Sequence, residues 1–112
     1  MKIEVFYFKG CPNHLPSVQN VRLALQATHL EEPIQEIEVK NPVMAQQLAF
    51  LGSPTIRVNG LDIEPAARSA KVFGYGCRTY FAAGQRTGTP PVDLIRQAIL
   101  EATQPTNTGA AQ

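Results

Sequence analysis

Two thiols and an imidazole, on Cys11, Cys77 and His14, are the groups in this chain whose type and setting point to chemistry. Cys11 follows an apolar run, Ile3 to Phe8, and a glycine. It precedes a stretch from Pro16 to Leu30 in which Val18, Val21 and Leu25 recur on one helical stripe. A thiol at the start of a helix faces unpaired amide N–H groups and the positive end of the dipole. Both favour the thiolate, the form that attacks disulfides. His14 lies one turn further on, where an i, i+3 pair can meet. A protonated ring there supports the thiolate, and a neutral one serves as base or soft-metal co-ligand. The alternatives are an inert Cys11 and a His14 that is a polar surface residue near a helix cap. Cys77 sits in Gly74-Tyr75-Gly76-Cys77-Arg78 and leaves three roles open: a buried small apolar side chain, a resolving thiol, or a metal ligand. His29, late in the same helical stretch, reads as a surface residue.

Two cysteines are too few for a disulfide scaffold and too far apart for a zinc-finger pattern. A net charge of +1 argues against non-specific nucleic-acid binding as the main role. No apolar run approaches the roughly 18 residues of a membrane span. The opening run is interrupted by Glu4 and leads straight into Lys9-Gly10-Cys11 without a small-residue cleavage site, so it reads as a strand and not as a signal peptide. A cytoplasmic location, where thiols stay reduced, is the matching expectation. Between Pro65 and Pro91 the chain carries Arg68, Lys71, Arg78 and Arg86 and no acid, which is either a solvated basic loop or an electropositive rim.

The elements that must position these groups are legible from period and punctuation. Residues 2–8 suit a buried central strand, and 34–40 place Ile34, Ile37 and Val39 in a second. Asn41-Pro42 starts a helix with Met44, Leu48 and Leu51 on its apolar stripe, and Gly52 is expected as its left-handed terminal residue. Residues 55–58 form a third strand, and Asn59-Gly60 turns it into a fourth at Leu61–Glu64. Residues 65–90 read as an irregular, Gly-rich, basic insertion, with a short helical turn and an extended piece at Cys77–Tyr80. Pro90-Pro91 opens a last helix with Val92, Ile95, Ala98, Ile99 and Ala102 at core spacing. The expected domain is 1–103, and the tail 104–112 lacks apolar bulk and is expected to be disordered. The order β-α-β-α-β-β-α predicts an α/β fold with a mixed four-stranded sheet and helices on both faces.

Two motifs resemble a known family. Phe8-Lys9-Gly10-Cys11-Pro12-Asn13-His14 lies between first strand and first helix, where thioredoxins and glutaredoxins carry C-x-x-C or C-x-x-S. Gly52-Ser53-Pro54-Thr55, before Val58-Asn59-Gly60, resembles the segment in which that superfamily sets a cis-proline against its active cysteine. The likeness covers about residues 2–64 and 90–103. It is similar in more detail to small bacterial thioredoxin-like proteins of uncertain role, some labelled as relatives of alkylmercury lyase, through Gly-Cys-Pro-Asn-His, Leu-Gly-Ser-Pro-Thr and Gly-Cys-Arg-Thr-Tyr. The resemblance implies a thioredoxin-like fold, Cys11 as attacking thiol, and a cis Ser53–Pro54 bond. It also implies that Ser53, Pro54 and Thr55 position a substrate, with Ser53 backbone groups free to pair with an extended peptide or glutathione. His14 stands where the family has its second cysteine, so nothing at that position resolves a mixed disulfide.

The function expected from these residues is monothiol thiol–disulfide exchange through Cys11. No cofactor is expected beyond glutathione as a thiol co-substrate. The partners are a disulfide-bearing protein or glutathione, and neither nucleic acid nor membrane. Two alternatives stand beside it: a soft-metal (mercury or copper) binding or transfer protein using Cys11 with His14 or Cys77, and a non-catalytic binding module on the same fold.

Overall fold

The computed structural model describes residues 1–103. Strand β1 (Ile3–Tyr7) is central because its apolar residues serve two cores at once. Ile3 and Val5 face one layer, with Val18, Val21, Leu25, Ile56, Ile95 and Ile99, while Phe6 faces another, with Val39, Ala45 and Phe50. The alternation follows from the period of two along a strand. β1 pairs in parallel with β2 (Ile34–Glu38), from Ile3 opposite Ile34 to Tyr7 opposite Glu38. On its other side it pairs antiparallel with β3 (Thr55–Val58), Ile3 opposite Val58 and Phe6 opposite Thr55. Asn59 and Gly60, at φ 54° and 83°, turn β3 into β4 (Leu61–Asp62). Both residues tolerate the positive φ that a two-residue hairpin demands.

The sheet order is therefore β2-β1-β3-β4. Helices α1 (His14–Ala27) and α3 (Val92–Thr103) pack together over the first core. The short α2 (Pro42–Gln47) closes the second, with Ala45 buried there. This is the thioredoxin-like α/β layout that the element order predicts. Among the described residues no helix is long and apolar enough to cross a membrane.

Several boundaries differ from the sequence reading: β2 ends at Glu38 and β4 at Asp62, both short of the expected ends. α1 starts at His14, ahead of Pro16, because the Ser17 amide and hydroxyl both donate to the Asn13 carbonyl and close the first turn. Pro16 is harmless there, since first-turn N–H groups lack intrahelical partners anyway. α2 stops at Gln47, and Ala49, not Gly52, takes the left-handed conformation (φ 54°) that ends it. The 65–90 segment is more ordered than expected. A 3₁₀ turn at Pro65–Ala67 is followed by a separate hairpin, β5 (Tyr80–Ala82) and β6 (Gln85–Thr87), turned at Ala83–Gly84. The expected disordered tail lies outside the described residues.

Candidate functional site around Cys11 and the Ser53–Pro54 loop

Cys11 sits in two consecutive tight turns between β1 and α1. Its N–H donates to the Phe8 carbonyl (3.2 Å), and its own carbonyl accepts from the His14 N–H (3.3 Å). Gly10, at φ 87°, supplies the left-handed step that this reversal needs. Only 9% of Cys11 is exposed. Phe8 then ties the turn sideways, its N–H donating to Ser53 Oγ (3.3 Å). The Ser53–Pro54 peptide bond is cis. The two motifs far apart in sequence therefore meet, as the resemblance implies.

His14 has other partners than the thiol. Its ring stacks on Tyr7 at 3.6 Å between centroids, 4° from coplanar. Nε2 lies 2.7 Å from Glu36 Oε1, on β2. The ring's hydrogen bond thus goes to Glu36 and not to the thiol, which departs from the expected Cys11–His14 pair. Glu36 was not singled out by the sequence, where it is one of several acids flanking and within the second strand.

Cys77 is exposed, so it is not the core side chain that one reading made it. Its backbone forms an isolated parallel bridge with Ser53. Ser53 N–H donates to the Gly76 carbonyl (2.8 Å), and Arg78 N–H donates to the Ser53 carbonyl (3.0 Å). This corrects the expectation that the Ser53 backbone is free: a segment of the same chain already occupies it. Gly52 makes the approach possible. A Cβ there, besides the strain of φ 114°, would lie 2.9 Å from Arg78 Cβ and 3.1 Å from the Gly76 oxygen.

Residues 78–80 fasten the segment down. The Arg78 guanidinium, 8% exposed, grips both Asp62 oxygens at 2.8 Å and Glu64 Oε1 at 2.9 Å, and donates to Thr55 Oγ1 (3.3 Å). It also lies over the Tyr80 ring, 4.4 Å from the centroid. Burial would lower the Arg78 pKa, but the bonds to Asp62 and Glu64, with the neighbouring Tyr80 and Asp62, together outweigh it and hold the group above its ordinary value. The Tyr80 hydroxyl donates to the Pro54 carbonyl at 2.6 Å, and burial pushes its pKa above the usual 10.0. Ser53, Pro54 and Thr55 are all buried beneath this arrangement. Neither reading of the basic stretch holds for two of its members, because Arg78 is buried and paired internally and Arg68 grips Glu101 through two 2.9 Å bonds.

Among the described residues no group of three His, Cys, Asp or Glu side chains gathers as a metal site. The cleft lined by Ala49, Leu51, Arg57, Leu61, Arg68 and Phe73 does not include Cys11. Comparison with family models, curated proteins and solved structures returns no match.

Proposed function

We propose that this protein is a thiol–disulfide oxidoreductase in which Cys11 is the attacking thiol and glutathione or a disulfide-bearing protein is the partner. The observation that supports it best is the joining of two distant motifs: the Cys11 turn is linked through Phe8 to Ser53 of the cis-proline loop. Cys11 lies in the turn that leads directly into α1, and Phe8 ties that turn to the cis-proline loop. Its thiolate attacks one sulfur of a disulfide, forms a mixed disulfide and releases the other half as thiol. Ser53, Pro54 and Thr55 lie buried in the loop to which the Cys11 turn is tied.

Incubation of the full chain with glutathione disulfide, in wild type, Cys11→Ser and Cys77→Ser, tests the reading. The expected result is exchange that survives Cys77→Ser and is lost in Cys11→Ser. Exchange that persists without Cys11 overturns it. A stoichiometric soft ion retained by the reduced protein and lost with Cys11 would favour the metal-binding reading instead.

A further inference from the structure

We propose that residues 75–78 are a tethered strand docked where an exchange partner's peptide would pair, and that Cys77 on it resolves the mixed disulfide formed at Cys11. The inference rests on Cys11 as the attacking thiol and adds the group that completes its cycle.

Peptide recognition by strand addition needs unpaired backbone groups on the receiving segment. At Ser53 both are taken, by Gly76 and Arg78, so the chain supplies its own added strand. Strand spacing of about 4.8 Å puts Cys77 one strand-width from Ser53. Ser53 in turn accepts from Phe8, and Phe8 accepts from Cys11. The turn that carries Cys11 is thus linked through Phe8 and Ser53 to the strand that carries Cys77, although 65 residues of chain lie between the two cysteines.

Anchorage of this strand is heavy on both sides of Cys77. Upstream, Gly74 N–H donates to the Phe50 carbonyl (3.0 Å) and Tyr75 packs on Phe8 at 5.4 Å. Downstream, Arg78 and Tyr80 hold Asp62, Glu64 and Pro54. Between these anchors Cys77 itself is uncovered. A core role explains neither the exposure nor a buried ion pair spent on placing the residue beside it. Presentation of a thiol explains both, because a fixed segment carries less ordering cost into the reaction.

The chemistry balances in two exchanges. The Cys11 thiolate attacks glutathione disulfide, forming Cys11–S–S–glutathione and releasing one glutathione thiolate. The Cys77 thiolate then attacks the Cys11 sulfur, forming the Cys11–Cys77 disulfide and releasing the second. Two protein thiols are oxidised by two electrons, one external disulfide is reduced, and the protein's two thiol protons pass to the released thiolates. An external dithiol, or two monothiols in succession, reduces the protein disulfide and closes the cycle.

Mass spectrometry of the full chain after a pulse of glutathione disulfide is the test. Wild type is expected to end as a monomer lighter by two hydrogen atoms, without adduct, and to recover its mass with a dithiol. Cys77→Ser is expected to hold a glutathione adduct on Cys11 about tenfold longer or more, since a tethered thiol competes at millimolar effective concentration. Gly52→Ala, which drives Arg78 and Gly76 away, is expected to lengthen the adduct's life in the same direction. Should that variant fail to fold, Tyr75→Ala loosens the upstream anchor with the same expected sign. Equal adduct lifetimes in wild type and Cys77→Ser, or a disulfide-linked dimer as the product, overturn the role of Cys77 while leaving Cys11 as the nucleophile. Failure of Cys77→Ser to form any adduct removes the Cys11 reading and this one with it.

Discussion

His14 illustrates how little of a side chain's partnership is carried by sequence spacing. Cys11 and His14 are three apart, and that spacing allows contact on a helix. The contact requires both residues to be helical, yet α1 begins only at His14 and leaves Cys11 in the turn before it. The ring instead finds Tyr7 and Glu36, which become neighbours only when β1 and β2 pair. Cys11 was legible because turn and strand punctuation mark its place, and Ser53 and Pro54 through the resemblance of Gly52-Ser53-Pro54-Thr55 to a known motif. Glu36 was not, since nothing local separates it from Glu38 or Glu32. A consequence can be measured. His14→Ala removes an aromatic stack and a partly exposed hydrogen bond, and is expected to cost about 1 kcal/mol in a urea titration. The rate of Cys11 alkylation is expected to stay within about twofold, because a group without a bond to the sulfur has little leverage on its nucleophilicity. A tenfold loss of alkylation rate in a folded variant would place the imidazole on the thiol after all.

At the scale of elements, the legible parts are those whose residues have only one good use. Asn59-Gly60 accepts positive φ, and Asn41-Pro42 offers a cap followed by a proline in the first helical turn. The Asn41 side chain does accept from the Met44 amide at 2.8 Å. Asn41→Ala is therefore expected to destabilise the fold by about 1 kcal/mol, read from the urea midpoint. The β5–β6 hairpin escaped the sequence reading because its turn places Ala83, a residue with no preference for positive φ, at 53°. The extended piece at residues 77–80 was expected, but its anchorage escaped for a different reason. A run of basic residues without an acid reads as solvated, whereas Arg78 finds its acids on β4 and just beyond it, at Asp62 and Glu64. Removing one partner of a buried pair leaves the other charge without compensation. Arg78→Met is expected to cost about 3–5 kcal/mol in chemical denaturation. A loss below about 1 kcal/mol would mean that Asp62 reaches water and that the segment is held by its backbone bonds alone.

For the whole molecule, Tyr80 is the residue through which the late insertion enters the main core. Its ring is fully buried with Val5, Ile56 and Ile95, while its hydroxyl donates to the Pro54 carbonyl. The same placement makes global stability depend on alkaline pH. Burial favours the neutral phenol, so the folded-state pKa lies above the ordinary 10.0. The nearby Arg78 charge works the other way without cancelling this. With the folded pKa raised, the contribution is complete below the unfolded value of about 10 and is lost as pH rises above it, because only the unfolded chain can release that proton easily. Arg78 keeps its charge through this window, its pKa being raised, so the ion pair beside the ring does not confuse the trend. Tyr80→Phe provides the control. It is expected to be less stable at neutral pH by about 1–3 kcal/mol, since the buried Pro54 carbonyl loses its donor. Its stability is also expected to fall less steeply than that of wild type as the pH is raised beyond about 10. Tyr7 and Tyr75 are present in both proteins, so their ionisation drops out of the difference. Urea midpoints for the pair at about pH 7, 9 and 10.5 decide it, because parallel slopes would mean that Tyr80 ionises in the folded state as readily as in the unfolded one. That outcome would require water at the Pro54 carbonyl, and with it a looser seat for the segment that carries Cys77.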